Sequence, residues 1–245
     1  MTYLDIHTLF MVIPTAAFLR YWRFQEPSLT LKRGIGSIFA LAFLATVWTM
    51  PWDNLMVIRG VWTYPPEGVL GLVFHIPIEE QMFFVLQPLF TGLWMLMLAP
   101  EGPPRAPRPP WRWAVNIIGA LSWLVVGGIA AYASTMDAQW YYAGTFLAWF
   151  SIPLAIQWGY GLDKLWSWRK LLLAGIGPTT MYLCLLDAIA LRYRVWSISA
   201  EHTTSWHIGP LPIEEALFFL LTNVLVVQGL TLLLDLLRQL DGRAR

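Results

Sequence analysis

Long runs of apolar residues, separated by short polar segments, make up most of the chain. Seven runs approach the roughly 20 apolar residues that an α-helix needs to cross the hydrocarbon core of a bilayer. They lie near 4–22, 34–51, 72–98, 113–133, 140–160, 170–191 and 209–236. Because backbone in contact with lipid must satisfy its own hydrogen bonds, we expect every run to be helical. The pattern therefore predicts an all-α integral membrane protein with seven transmembrane helices.

The composition agrees with lipid as the surroundings of this chain. Hydrophobic residues make up 57% of the 245 residues and charged residues 13%, whereas about a quarter of the residues in a soluble domain are charged. The net charge of +1 gives no indication of a nucleic-acid partner. A single cysteine, Cys184, excludes an intrachain disulfide.

The two halves of the chain repeat one another. Pro-Ile-Glu-Glu occurs at 77–80 and again at 212–215, each time followed by a Phe-Phe pair, and an Ile-Pro pair lies inside the first and the fifth predicted helix. Helices 1–3 therefore resemble helices 5–7, with helix 4 as a spacer. This predicts 3+1+3 parallel repeats, related by an axis along the membrane normal. The first three-helix repeat covers 1–100, the Pro-rich linker and spacer helix four cover 101–139, and the second repeat covers 140–245.

The basic residues predict the orientation in the membrane. Thirteen of the sixteen Lys and Arg residues fall in one set of loops, and the opposite set holds only Arg59, Arg192 and Arg194. The positive-inside rule then places the N-terminus outside and the C-terminus in the cytoplasm of a multi-pass cell-membrane protein. The thirteen are Arg20, Arg23, Lys32, Arg33, Arg105, Arg108, Arg112, Lys164, Arg169, Lys170, Arg238, Arg243 and Arg245.

Six acidic residues at membrane depth are the candidates for chemistry, because ionisable groups there are costly and mark functional sites. Two alternatives remain open: the glutamates could anchor helix N-termini, where the helix dipole favours carboxylates, and the aspartates could pair with arginines of the following loops. Successive helical residues point about 100° apart, so only one glutamate of each pair can face a site squarely. The candidates are Glu79, Glu80, Glu214, Glu215, Asp53 and Asp187.

No cofactor or metal site is expected. His75 precedes Glu79 by four residues and His207 precedes Glu214 by seven, so the two histidines do not repeat with the acids. No G-x-G-x-x-G fingerprint for a dinucleotide occurs. The three lysines lie in predicted loops, so the seventh helix cannot hold retinal as a Schiff base.

The segments HIPIEEQMFF and GPLPIEEALFF, with Pro-Trp-Asp and Leu-Leu-Asp at the preceding helix ends, resemble the membrane-type lycopene cyclases. In that family, two homologous small membrane halves occur as separate subunits or fused in one chain, and this chain resembles the fused form over nearly its whole length. The resemblance implies cyclisation of lycopene ψ-ends to ionone rings without flavin, with both halves required. The lipid-soluble substrate, lycopene, would enter from the bilayer.

The reaction that the resemblance implies suits the acids. An acid protonates C2 of the terminal alkene, the C5–C6 double bond attacks the cation at C1, and a base removes a proton. On this interpretation Glu79, Glu80, Glu214 and Glu215 carry the proton chemistry, and Asp53 and Asp187 tune or relay it. The alternative from another class is a small-solute or proton-coupled transporter, because intramembrane acids also mark proton paths. The sequence leaves the ring type, the number of sites and the oligomeric state open.

The split of basic residues generates the first testable expectation. A cytoplasmic reporter fused after Arg245 should be active and a periplasmic reporter inactive at the same position. The control is the same pair of reporters inserted after Gly60, where the activities should be exchanged. Activity of the periplasmic reporter after Arg245 would reverse the orientation and place the paired glutamates toward the cytoplasm.

Overall fold

Helices account for most of the part of the chain that the computed structural model describes, residues 1–23, 29–106 and 109–243. Arg108 and Arg245, assigned above to cytoplasmic loops, lie outside the described residues. The helices are α1 (Tyr3–His7), α2 (Ile13–Arg23), α3 (Leu29–Ile58), α4 (Ile78–Leu98), α5 (Arg112–Met136), α6 (Tyr141–Ser167), α7 (Arg169–Arg192) and α8 (Ile213–Arg243). A π-helical turn (Thr8–Val12) joins α1 to α2, and short 3₁₀ turns occupy Pro66–Gly68 and Ala138–Trp140.

Five helical segments among the described residues are long and apolar enough to cross a membrane. They are Lys32–Ile58, Ile78–Leu98, Arg112–Met136, Arg169–Arg192 and Ile213–Asp241. The prediction of an all-α protein with membrane-spanning helices is therefore confirmed. The spans predicted near 4–22 and 140–160 are helical as well, but α1–α2 and α6 do not reach the same apolar criterion.

Two of the predicted spans begin too early. Residues 72–77 form a hairpin of β2 (Leu72–Val73) with β3 (Ile76–Pro77), and β5 (His207–Ile208) pairs in the same way with β6 (Leu211–Pro212). Hydropathy cannot separate these apolar hairpins from the helices that follow them. Pro77 and Pro212 directly precede α4 and α8, as expected for a residue that lacks the amide donor and presets φ for a helix start.

Asp53 and Asp187 were expected at helix ends, and this expectation is wrong. Helix α3 continues to Ile58 and α7 to Arg192, so each aspartate lies five residues before the end of its helix. Pro51 does not end α3 but is contained within it. Both carboxyls therefore project from regular helix into the bundle.

Helices α4 and α8 form the centre of the bundle. Helix α4 packs against α2, α3, α7 and α8, and α8 also packs against α3 and α6. Helix α5 lies alongside α6, where Gly127 and Gly144 leave room only for the facing helix; small residues allow such close approach in membranes. Above the ends of α3 and α7, β1 (Trp62–Thr63) pairs antiparallel with β4 (Ser197–Ile198).

Ion pairs hold the opposite end of the bundle. Lys164 on α6 lies 2.9 Å from Asp235 on α8, and Arg33 on α3 pairs with Asp241. The beginning of the Pro-rich linker is held there too, because Arg238 donates to the carbonyl of Pro103 (2.7 Å) and the Trp168 indole to that of Pro104 (2.8 Å). The linker is therefore bound to the bundle at Pro103 and Pro104 and is not a free spacer there.

These linker contacts should help the two halves of the chain to assemble when the chain is cut within the linker. Co-expressed fragments 1–105 and 106–245 should restore part of the activity, because α4 packs against α7 and α8 across the cut and fragment 1–105 retains the carbonyls that Arg238 and Trp168 bind. Each fragment alone should be inactive. The measurement is pigment formation in lycopene-accumulating cells, with the intact chain as the control. Full activity from one fragment would show that a half contains a complete site.

Candidate active site

The two glutamates of each pair point in different directions. Glu79 accepts a hydrogen bond from the backbone N–H of Leu70 (2.8 Å), and Glu214 accepts one from the backbone N–H of Thr204 (2.7 Å) and another from its hydroxyl (2.6 Å). Both carboxylates therefore hold the loop that precedes their helix. The roughly 100° rotation per helical residue turns the second glutamate of each pair toward the bundle interior.

Two phenols hold Glu80. The hydroxyl of Tyr3, in the first turn of α1, donates to Oε2 of Glu80, and the hydroxyl of Tyr64, in the loop after α3, lies 3.3 Å from the same oxygen. Burial raises the pKa of the Tyr64 phenol well above its ordinary range, and the neighbouring Glu80 carboxyl raises this pKa further. Tyr64 therefore keeps its proton and can donate it in a hydrogen bond to Glu80.

A phenol and an indole hold Glu215. The hydroxyl of Tyr142, in the first turn of α6, donates to Oε1 at 2.7 Å, and the Trp62 indole N–H donates to the same oxygen at 3.1 Å. Trp62 comes from the loop of the first half, so Glu215 in the second half depends on a donor from the other repeat.

The two aspartates differ in their partners. The Trp196 indole donates to Oδ1 of Asp187 at 2.9 Å. Asp53 is fully buried, and neither of its carboxyl oxygens has a hydrogen-bond partner. It lies within electrostatic reach of Glu80 and Glu215. Within the described residues, the alternative pairing of these aspartates with loop arginines is absent, since the ion pairs found lie at the other end of the bundle.

A small cavity of about 40 Å³ lies between the acids. A buried water needs about 10–15 Å³ of such volume, so the cavity has room for about three waters and not for a cyclic terpenoid end. Glu80, Glu215 and Asp187 line it. The remaining lining residues are Tyr3, His7, Trp62, Tyr64, Phe83, Leu186, Trp196, Phe218 and Phe219.

Aromatic rings form the walls of this cavity. The ring of Trp196 lies 4.7 Å from that of Tyr3, and Phe83 meets Phe219 edge to face at 6.1 Å. Trp52, on α3, packs between Trp62 and Phe218. Aromatic faces attract cations, and more strongly where water is excluded. The site therefore combines proton donors and acceptors with surfaces that stabilise positive charge.

The structure brings three of the six predicted residues to the cavity, Glu80, Glu215 and Asp187. It turns Glu79 and Glu214 toward loops and buries Asp53 beside the cluster. Within the described residues, no group of three or more His, Cys, Asp or Glu side chains has a geometry that could hold a metal ion.

Sequence reasoning missed Tyr3, Tyr142 and His7. The two tyrosines had a usable signal, because each lies eleven residues before the proline of its Ile-Pro pair. No such signal marked His7, since the matching position in the second half is Phe146. The His7 ring lines the cavity and its Nε2 has no hydrogen-bond partner.

Buried carboxyls at an aromatic cavity inside an apolar helical bundle suit acid–base chemistry on an apolar substrate. The lycopene cyclase family profile matches residues 1–98 and 138–232, and the chain belongs to this family. The chain is 39% identical to the lycopene beta-cyclase of Halobacterium salinarum over 199 residues, which cover 81% of both chains. No solved structure matches the chain.

A longer relative also matches. The chain is 33% identical to the bifunctional lycopene cyclase/phytoene synthase of Phycomyces blakesleeanus over 235 residues, 93% of this chain and 38% of that protein. The family predicted from the paired glutamates is thus confirmed, and with it an enzyme of carotenoid biosynthesis. The transporter alternative is set aside.

The bond from Trp62 to Glu215 can be tested alone. Trp62→Phe removes the indole N–H but keeps an aromatic ring. Hydrogen bonds to charged groups contribute about 1.5–3 kcal/mol, so the variant should lose roughly 10- to 100-fold in kcat. The control is Trp94→Phe, which removes an indole bond to the Ala174 carbonyl at the other end of α4 and should leave turnover near wild type. Equal turnover of both variants would show that the Trp62 donor does not tune Glu215.

Proposed function

We propose that this protein converts the acyclic ψ-ends of lycopene to β-ionone rings within the cell membrane. One observation carries the proposal: two carboxyls from opposite halves, Glu80 and Glu215, line one aromatic cavity. Cyclisation needs an acid, a base and a surface that tolerates a cation, and this cavity contains all three. We specify the β ring because the Halobacterium salinarum relative is named a lycopene beta-cyclase.

The hydrogen-bond donors distinguish the two glutamates. An indole N–H can only donate, whereas a phenol can donate or accept. Glu215 is held by one phenol, Tyr142, and by the Trp62 indole, and the indole favours the form in which this oxygen accepts, which suits the carboxylate base. Glu80 is held by two phenols, which can reverse their roles when it is protonated. Glu80 is thus the acid that starts the reaction, and Glu215 is the base that ends it.

Each step conserves atoms and electrons. Glu80 gives its proton to C2, and the C1 cation that forms is attacked by the C5–C6 double bond, which closes the C1–C6 bond and moves the positive charge to C5. Glu215 then removes the proton from C6, and the electrons of that C–H bond form the C5–C6 double bond of the β ring. One proton enters the substrate and one leaves, so the reaction is an isomerisation without net redox change.

After one turnover the proton resides on Glu215 and must return to Glu80. Asp53 lies within electrostatic reach of both carboxyls, and no neighbouring group donates a hydrogen bond to either of its oxygens. A buried carboxyl without partners is held neutral, because burying an unpaired charge is far more costly. We therefore assign Asp53 to tuning or relaying the proton, and Asp187, which is held by Trp196, to shaping the field at Glu215.

Glu79 and Glu214 serve the site indirectly. Each ties its helix start to the loop that carries the aromatic residues of the cavity. They act as positioning residues that set the orientation of Glu80 and Glu215. The six candidate acids thus divide into two proton-transfer groups, two aspartates that adjust them and two carboxyls that tie loops to their helices.

The proposal includes seven crossings in a 3+1+3 arrangement of parallel repeats, with the N-terminus outside. The pairing of β1 with β4 supports it, because Thr63 faces Ser197 and these residues directly follow the repeated tryptophans Trp62 and Trp196. A local twofold axis brings equivalent positions face to face in this way. The repeats proposed at 1–100 and 140–245 also agree with the two matched segments, which leave out residues 99–137.

Replacement of single glutamates tests these roles. Glu80→Gln and Glu215→Gln should each lower turnover by about 10²–10⁴-fold, because an amide can neither donate nor take up the proton of a carboxyl. Glu79→Gln and Glu214→Gln are matched controls, since a glutamine oxygen can still accept the loop N–H, and they should retain most activity. Products are separated by chromatography from membranes with equal protein levels.

Solvent deuterium completes the measurement. In heavy water, each ring made by the wild type should carry one deuterium at C2. Absence of deuterium at this carbon, or near-wild-type turnover in both Glu80→Gln and Glu215→Gln, would refute the proton-initiated mechanism. Loss of activity only in the Glu79 and Glu214 variants would show that these two glutamates, and not Glu80 and Glu215, carry the proton chemistry.

A further inference from the structure

A second, larger cavity adjoins the acidic one. It has a volume of about 290 Å³ and is enclosed by α3, α4, α6 and α8. Phe83 and Phe218 line both cavities and form the partition between them. Apart from a few amide, hydroxyl and indole groups, the walls are aliphatic and aromatic.

The larger cavity reaches the surface of the bundle that faces lipid. Leu44 on α3 and Ile156 on α6 line it, and these side chains are 60% and 68% exposed. Along α8 the lining runs from Phe218 to Val226, a length of about 12 Å at the usual rise of a helix. The cavity is therefore a channel from the bilayer, between α3 and α6, to the aromatic partition of the acid site.

We infer that this channel binds the polyene chain of the substrate, with the reacting end pushed past Phe83 and Phe218 into the acidic cavity. The inference rests on the proposed function. Its chemistry fits a linear conjugated hydrocarbon, which needs apolar walls, access from lipid and no charged partner. Because the acidic cavity of about 40 Å³ cannot contain the end that cyclises, the two phenylalanine rings move aside when the substrate enters.

The matching positions of the other half are filled. Phe90 corresponds to Leu225, since each lies eleven residues after the first glutamate of its pair, and Phe18 corresponds to Gln157, each four residues after an Ile-Pro proline. The Phe90 ring stacks on Phe18 at 5.4 Å and on Tyr182 at 4.9 Å. Tyr182 is fixed in turn by a hydrogen bond to the Phe10 carbonyl (2.8 Å).

Of two places in the bundle that the repeat relates to one another, one is thus an open channel and the other is filled by an aromatic stack. With this one channel among the described residues, a single chain accepts one end of lycopene at a time. The monocyclic product must leave, turn around and enter again before its second end can react. Cyclisation of both ends is therefore distributive, with a free monocyclic intermediate.

The exchange of matched residues tests the channel. Leu225→Phe places in the channel the residue that fills the other half, and it should raise KM for lycopene or lower turnover at least tenfold. Phe90→Leu is the matched control, which removes the stacking ring from the opposite half and should leave KM near wild type. Ala45→Phe narrows the channel from α3 and should act like Leu225→Phe, and it decides the matter if the latter does not accumulate in membranes.

Two results would overturn the inference while the proposed function stands. One is wild-type KM and turnover in both Leu225→Phe and Ala45→Phe. The other comes from a wild-type time course with labelled lycopene and an added pool of unlabelled monocyclic carotenoid. If the labelled bicyclic product forms without its label being diluted by that pool, the intermediate is not released. Failure of the wild-type protein to cyclise lycopene would instead refute the proposed function.

Discussion

Everything at the site depends on keeping six carboxyls, the two Glu pairs with Asp53 and Asp187, inside an apolar bundle. An unpaired buried charge is far more costly than one folded domain can compensate, so the carboxyls need donors or must stay neutral. Tyrosine and tryptophan supply these donors without adding charge, and Asp53 is left without any. The surrounding aromatic residues thus have two functions, because the rings that bring N–H and O–H groups to the acids also form a wall suited to a cation.

The same requirement explains why the halves are interlocked where they meet. The indole that holds Glu215 comes from the first half, and the strand after α3 pairs with the strand after α7. Neutral hydrogen bonds join the end of the bundle that contains the acids, whereas ion pairs such as Lys164–Asp235 join the opposite end. Charged contacts close to the acids would fix their protonation states, which proton transfer requires to change.

The sequence repeat, the helices and the family were predictable from sequence, because they rest on hydropathy and on residues that occur twice. The hairpins before α4 and α8 were not, since Leu72–Val73 is as apolar as the helix that follows. Nor could local patterns show that Trp62 reaches Glu215 rather than Asp53, whereas Trp196 stays with Asp187. That difference arises from how the halves pack together, and neither repeat contains the information alone.

The difference between Phe90 and Leu225 bears on why two halves are joined in one chain. In a dimer of identical subunits, symmetry makes both copies of a position the same residue, so a cavity opened on one side opens on the other. Two halves with separate sequences escape this restriction, so that one of two related places can stay open while the other is packed. Divergence after duplication thus allows a membrane protein to fill one of two equivalent cavities and gain stability. The site to which both copies contribute residues is kept.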